Sequence, residues 1–296
     1  MSYIGEFAAL ATAFCWSITA TSFEVAGKKV GSQPLNLIRL LIGSVFLCLF
    51  TLITRGLAFP IDATFNTWKW LFLSGLVGLV IGDLLLFEAF VRIGARISML
   101  IYASVPPMSG ILAYFILGET MSAIQIIGMF VTLTGIAIVI LVKDSGNKVK
   151  LSHPVAGILL AFGGAFGQAL GYIIGKFGLE NYDAFAATQI RLIAGIIGFA
   201  ILFTIRGNWK SFFEAFKEKH AMAYITLGSF FGPFLGISLS LLAIQHTNPG
   251  VASTLTSITP VLLIPVAIFV RKETVHFKEF LGAMVAISGV ALIFLA

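Results

Sequence analysis

The sequence predicts an all-α integral membrane protein whose ten transmembrane helices form two inverted five-helix repeats. Three observations carry that prediction. First, 58% of the 296 residues are hydrophobic and only 11% are charged, with a mean hydropathy of +1.02. A soluble domain carries about a quarter charged residues. Second, the stretch from Arg96 to Val142 recurs without a gap as Gly250 to Ala296, 154 positions later. Pro106 aligns with Pro260, Phe115 with Phe269, Glu119-Thr120 with Glu273-Thr274, and Gly128 and Gly135 with Gly282 and Gly289. Shared greasiness aligns apolar positions, but not a proline, a carboxylate and a glycine pair at once. Third, the apolar runs divide five and five. After an odd number of crossings the chain is on the other side of the bilayer, so the second copy enters upside down.

At about 20 residues per crossing the helices fall near 4–25, 35–54, 70–91, 97–117 and 123–142 in the first copy. Those of the second copy fall near 155–177, 184–205, 221–243, 250–270 and 277–296. No Lys or Arg precedes the first run, and a cleaved leader needs a basic start, so that run is read as a span. NLIRLLIG at 36–43 matches TQIRLIAG at 188–195, pairing Arg39 with Arg191 and Gly43 with Gly195. The third helices match through Gly78 and Gly82 against Gly228 and Gly232. The polar stretch 143–153, rich in Gly, Asn and Lys, reads as the linker. The domains are therefore 1–146 and 147–296.

Glycines at 163, 167, 171 and 175 put one flat face on the sixth helix, suited to close backbone approach in lipid and equally to sliding. Pro106 and Pro107, with Pro260 and Pro265, interrupt the fourth helix of each copy. Proline removes a backbone donor and frees carbonyls, so Pro106 and Pro260 are candidate kink or gating positions.

A net charge of +6 does not point to nucleic acid, because the Lys and Arg are scattered between apolar runs as lipid-headgroup anchors. Fourteen fall on one side of the bilayer and three on the other, with Arg39 and Arg191 inside helices. The positive-inside rule then places both termini outside. The two cysteines lie in separate apolar runs, and no His or Cys shows metal-ligand spacing. Motifs for metal-dependent hydrolysis, serine hydrolysis and phosphate cradling are missing too, so no metal, no cofactor and no enzymatic activity is expected.

Ionisable groups inside the membrane are the main site signal, since each costs at least about 2.5 kcal/mol at the bilayer centre unless paired or hydrated. Asp83 lies mid-helix on a short side chain that cannot snorkel, which makes it the first candidate for proton coupling. A structural ion pair with one of the arginines is the competing role. Glu88 is the second coupling candidate, but five residues on it points about 140° away, so the two do not form a dyad. Asp83 has Pro233 as its repeat counterpart, so its chemistry belongs to one half only. Trp16, Arg39, Tyr102, Gln168, Tyr172 and Arg191 are the substrate-cavity candidates.

The Trp16 region, IRLLIG with IRLIAG, the run Ser104-Val-Pro106-Pro107 through LGET at 117–120, and IIGMFVTLTGIAIVI at 126–140 carry a resemblance. So do SITPV at 257–261 and FLGAMVAISGVALIF at 280–294. Together they resemble the drug/metabolite transporter superfamily, specifically its ten-helix EamA branch, across essentially the full chain. The resemblance implies movement of small metabolites, commonly by efflux and often with proton exchange, through a cavity in which Trp16, Asp83, Tyr102, Gln168 and Tyr172 take part. Two features depart from the pattern. Arg271-Lys272 precede Glu273 where Gly is usual, and helix 1 has Cys15-Trp16 where small multidrug members carry a glutamate. The expectation is a multi-pass exporter of the plasma (inner) membrane, monomeric or weakly dimeric. A small-molecule substrate and membrane lipid are its partners. A non-transporting scaffold or receptor is the alternative.

Overall fold

The computed structural model describes residues 4–118, 122–143, 149–151, 153–179, 182–246, 255–256, 258–269 and 277–295. Its elements are α1 (Ile4–Val30), α2 (Ser32–Arg55), α3 (Phe65–Ile93), α4 (Ala95–Tyr102), α5 (Val105–Leu117) and α6 (Ala123–Ile140) in the first copy. The second copy holds α7 (Val155–Leu179), α8 (Ala184–Arg206) and the short α9 (Trp209–Ala215). It continues with α10, one rod made of Lys219–Ser229, Phe230–Gly236 and Ile237–His246, then α11 (Thr259–Phe269) and α12 (Phe277–Leu295). The only strands among the described residues are β1 (Leu141–Lys143) and β2 (Val149–Leu151), a short antiparallel ladder that closes the linker between copies.

Among the described residues eight helices are long and apolar enough to cross a membrane, α4 and α5 counting as one. Of the two remaining predicted spans, the described residues hold α11 and α12. The acidic turns Glu119-Thr120 and Glu273-Thr274, the boundary at 146–147, and Lys148, Arg271 and Lys272 lie outside the described residues.

Local chemistry sets the helix ends. Thr64, Ser122 and Asp183 each cap the next helix by accepting a backbone N–H three residues on, and Ser122 with Gln125 forms a reciprocal capping box. Between α3 and α4 the chain turns at Gly94, whose φ of 82° favours glycine. There the Ala95 N–H donates to Glu24 Oε2 of α1 at 2.7 Å, so a fully buried carboxylate satisfies the start of α4.

Pro265 lies inside α11, while Pro106 and Pro260 stand at helix starts. Pro106 sits in the first turn of α5, after a break at Ala103 and Ser104, and Pro260 in the first turn of α11. In a first turn the missing N–H costs nothing, because those donors are unpaired in any helix.

Helix association rests on small residues. A methyl placed on Gly167 would reach 2.7 Å from the Gly82 Cα, and one on Gly171 would reach 3.0 Å from the Gly78 Cα, so α3 and α7 touch backbone to backbone. Elsewhere, copies meet through equivalent positions. On α2 and α8, Gly43 packs on Leu192 while Gly195 packs on Leu40, each glycine meeting the counterpart of the leucine three residues before it on its own helix. On α6 and α12, Gly128 faces Gly289 and Gly135 faces Gly282. In both crossings numbering rises on one helix as it falls on the other, so equivalent helices run antiparallel. Reciprocal contact of this kind is what a local two-fold axis produces.

Candidate functional site

Two widened turns position the site. In α3 the segment Leu76–Gly82 is π-helical, and the Asp83 N–H donates to the Gly78 carbonyl five residues back. Phe230–Gly236 in α10 repeats the device around Pro233, with the Ile237 N–H donating to the Gly232 carbonyl. Such turns insert an extra residue and re-aim the side chains downstream of them, frequently at functional positions. Nothing in the residue pattern marks them beyond the glycines and Pro233.

A cavity lies against α3 from Leu79 to Phe90, walled by Trp16 and Thr19 of α1, Met99 and Tyr102 of α4, Gln168 of α7 and Ile237 of α10. Both copies contribute, and the wall is mostly apolar. In this conformation it has room for water-sized molecules only.

Asp83 borders this cavity and is bound to Arg39: the guanidinium Nη2 donates to Asp83 Oδ2 at 2.5 Å. Asn36 completes the arrangement, accepting from Arg39 Nε at 3.0 Å and donating to the Asp83 carbonyl at 3.3 Å. The Arg39 cation also lies 4.6 Å from the Phe87 ring centroid. With 1% of Arg39 and 7% of Asp83 exposed, the pair is shut away from lipid and bulk water, which fits the rule that intramembrane charges find one another.

Arg191 differs from its counterpart. It is 3% exposed, lies 5.8 Å from the Tyr172 ring centroid, and has Nε and Nη2 without a hydrogen-bond partner among the described residues. Tyr172 and Tyr102 pack on Val105, Ala165 and Ala169 beside it. Gln168 reaches the same spot, since its Oε1 and Arg191 Nη2 each lie 3.2 Å from where a Cβ on Gly78 would stand. The structure thus brings Trp16, Arg39, Asp83, Tyr102, Gln168, Tyr172 and Arg191 to one region. Glu88 is elsewhere, held at the rim by Ser32 Oγ at 2.6 Å and Arg92 Nε at 2.8 Å. Pro106 belongs to the α5 start, and Pro260 lines a second cleft with Arg96 and Glu279.

Polar contacts join the two copies at both ends of the bundle. Arg96 of α4 pairs with Glu279 of α12. At the opposite end Arg55 donates to Asp62 Oδ2 at 2.5 Å, and the Tyr182 hydroxyl donates to Asp62 Oδ1 at 2.8 Å. Burial pushes the Asp62 carboxyl up, but the Tyr182 hydroxyl, a backbone hydrogen bond and Arg55 outweigh it and hold it below the usual carboxylate range. Burial, then the bond to Asp62, raises the Tyr182 phenol to about 12.

Comparison with known proteins settles the family. The model of the EamA-like transporter family matches residues 3–141 and again 155–295. The chain belongs to the EamA-like transporter family. An "Uncharacterized transporter" of Clostridium kluyveri is 24% identical over 283 residues, covering 95% of this chain and 89% of the relative. "Uncharacterized transporter YetK" of Bacillus subtilis is 23% identical over 291 residues, covering 97% and 86%. A crystal structure superposes with a TM-score of 0.65 at 15% identity, over 100% of this chain and 98% of the other, a likeness of fold alone. As an EamA-like protein the chain is a multi-pass membrane transporter, and family and relatives point to transport rather than enzymatic catalysis.

Proposed function

We propose that this EamA-like protein is a secondary active exporter of a small amphipathic metabolite or amino acid, working by alternating access and linked to protons. In this reading ten spans form two inverted five-helix repeats in the plasma membrane, with both termini outside. The observation that carries it is the buried Arg39–Asp83 pair on the wall of a cavity to which both copies contribute. Protonation of Asp83 removes the charge that holds Arg39, so proton arrival and helix rearrangement share one bond. The contacts between the copies at each end, the Arg96–Glu279 ion pair and the Tyr182–Asp62 hydrogen bond, are the closures that rocking would open in turn. Asp83 is the coupling carboxylate, with Glu88 the second candidate. Trp16, Tyr102, Gln168 and Tyr172 are cavity groups.

The test is flux in proteoliposomes under an imposed pH gradient, with a panel of amino acids and small amphipathic acids and amines. Asp83→Asn should abolish pH-driven accumulation while leaving passive exchange; undiminished pH-driven flux would remove Asp83 from coupling. The same pair favours a second reading, a non-transporting scaffold in which Asp83 only holds helices together. That role predicts that Asp83→Asn lowers folding yield first, whereas a carrier loses turnover while still folded.

A further inference from the structure

The repeat supplies its intramembrane arginine twice and the answering carboxylate once. Asp83 stands against Arg39, but the position equivalent to Asp83 is Pro233, whose ring packs on Gly43. Arg191 is left with Nε and Nη2 unbonded among the described residues, although it is 97% buried. Those two nitrogens lie along one edge of the guanidinium, the edge that grips a carboxylate with two parallel N–H···O bonds. The edge lies next to the cavity wall: Nη2 and Oε1 of the cavity-lining Gln168 flank Gly78, and any larger residue there would put its Cβ 3.2 Å from both. A buried cation with an open donor edge is costly, and that cost is offset when an anion completes it.

The geometry points to Arg191 as the group that takes the carboxylate of the transported molecule, with the molecule's apolar body along Trp16, Phe87, Phe90 and Met99. This deepens the transport reading and rests on it. Charge selects the anion. Arg39, Asp83 and Arg191 together carry one net positive charge, which one carboxylate neutralises; a phosphate monoester, about −1.5 to −2 at neutral pH, overshoots. The mostly apolar wall selects a short aliphatic or otherwise greasy body over a polyhydroxylated one.

The experiment measures binding by the purified full chain in nanodiscs, independently of flux. The probes are 4-methylpentanoate, leucine, leucinamide, isoamylamine and inorganic phosphate. The expected result is that both carboxylates bind and raise the melting temperature, leucine less than 4-methylpentanoate because its ammonium restores the positive charge, while leucinamide, isoamylamine and phosphate do not. Arg191→Gln should weaken carboxylate binding by about 100-fold and Arg191→Lys by about 10-fold, as loss of a charge-assisted bidentate bond predicts. Arg191→Lys keeps the charge and guards against a folding artefact. Gly78→Ala, which intrudes between Arg191 and Gln168 without touching charge, should also weaken binding. Any of three results overturns the proposal: no carboxylate binds, the amide, amine or phosphate binds as well as the carboxylates, or Arg191→Gln binds them as tightly as the parent. Parallel flux separates the two claims. Arg191-dependent binding without flux sinks transport and leaves the site. Carboxylate flux unaltered in Arg191→Gln sinks the site and leaves transport.

Discussion

Thr132 and Ala286, 154 residues apart, meet where α6 crosses α12, and the Thr132 hydroxyl donates to the Ala286 carbonyl at 3.4 Å. They are equivalent positions of the two copies, so the local two-fold passes between them. The crossing leaves no space for side chains: a methyl on Gly135 would collide with the Ala286 backbone nitrogen. Gly135→Ala should therefore cost about 1–3 kcal/mol by overpacking. The check is a thermal melt in detergent. An unchanged melting temperature would mean that the helices can separate freely there.

Arg39 and Arg191 should respond oppositely to the same substitution. Arg39→Gln strands Asp83 in the interior and should destabilise by about 3–5 kcal/mol. Adding Asp83→Asn should recover most of that loss, a strongly non-additive cycle. Arg191→Gln removes a guanidinium whose edge is unbonded and should leave stability equal or slightly higher. Denaturation of the single variants and the double variant checks both halves; equal destabilisation by the two arginine changes would contradict the contrast.

Glu24 is fully buried, accepts the Ala95 N–H and pairs with Lys28 at 2.6 Å. Glu24→Ala leaves the first turn of α4 without its acceptor and should cost roughly 2–3 kcal/mol, as loss of a charged hydrogen bond does. Glu24→Gln keeps an acceptor and should cost about half as much. Hydrogen exchange at Ala95 and its neighbours reports the loosening directly.

The Asp62–Tyr182 bond predicts two pH edges. Asp62 is held below its ordinary value, so its contribution is complete above the unfolded carboxylate range near about 4 and is lost as pH falls through the folded value. Tyr182 is raised to about 12, so its contribution is complete below the unfolded phenol value of about 10 and fades as pH climbs to about 12. Melting temperature against pH, measured for the parent and for Tyr182→Phe, should differ by a constant between the edges and converge beyond the alkaline one.

The repeat was legible because prolines, glycines and carboxylates recur together at one offset, and the sixth helix's glycine face was legible from spacing alone. Depth along a helix could also be read, which is why Asp83, Arg39 and Arg191 were singled out. Which arginine meets Asp83 could not be read, because spacing within a helix says nothing of how two helices are rotated about each other. The same limit hid the partner of Glu24, an ionisable group near the end of the first helix, since Ala95 is 71 residues away. The π-helical turns were illegible for another reason: Leu76–Gly82 is an ordinary apolar string, and only its neighbours make the wider turn worthwhile. For the prolines, composition announced a disturbance in the fourth helix of each copy, but a helix that bends and a helix that begins anew look alike until the preceding turn is seen.

The reciprocal crossing of α6 and α12 also speaks to origin. Gly128 meets Gly289, the counterpart of Gly135, and Gly135 meets Gly282, the counterpart of Gly128, so the same surface serves on both sides of the contact. A half-length ancestor could have made the same contact with a sibling inserted in the opposite orientation. Fusion of the two reading frames would then have preserved an existing partnership, after which the halves were free to diverge into one that keeps its carboxylate and one that does without.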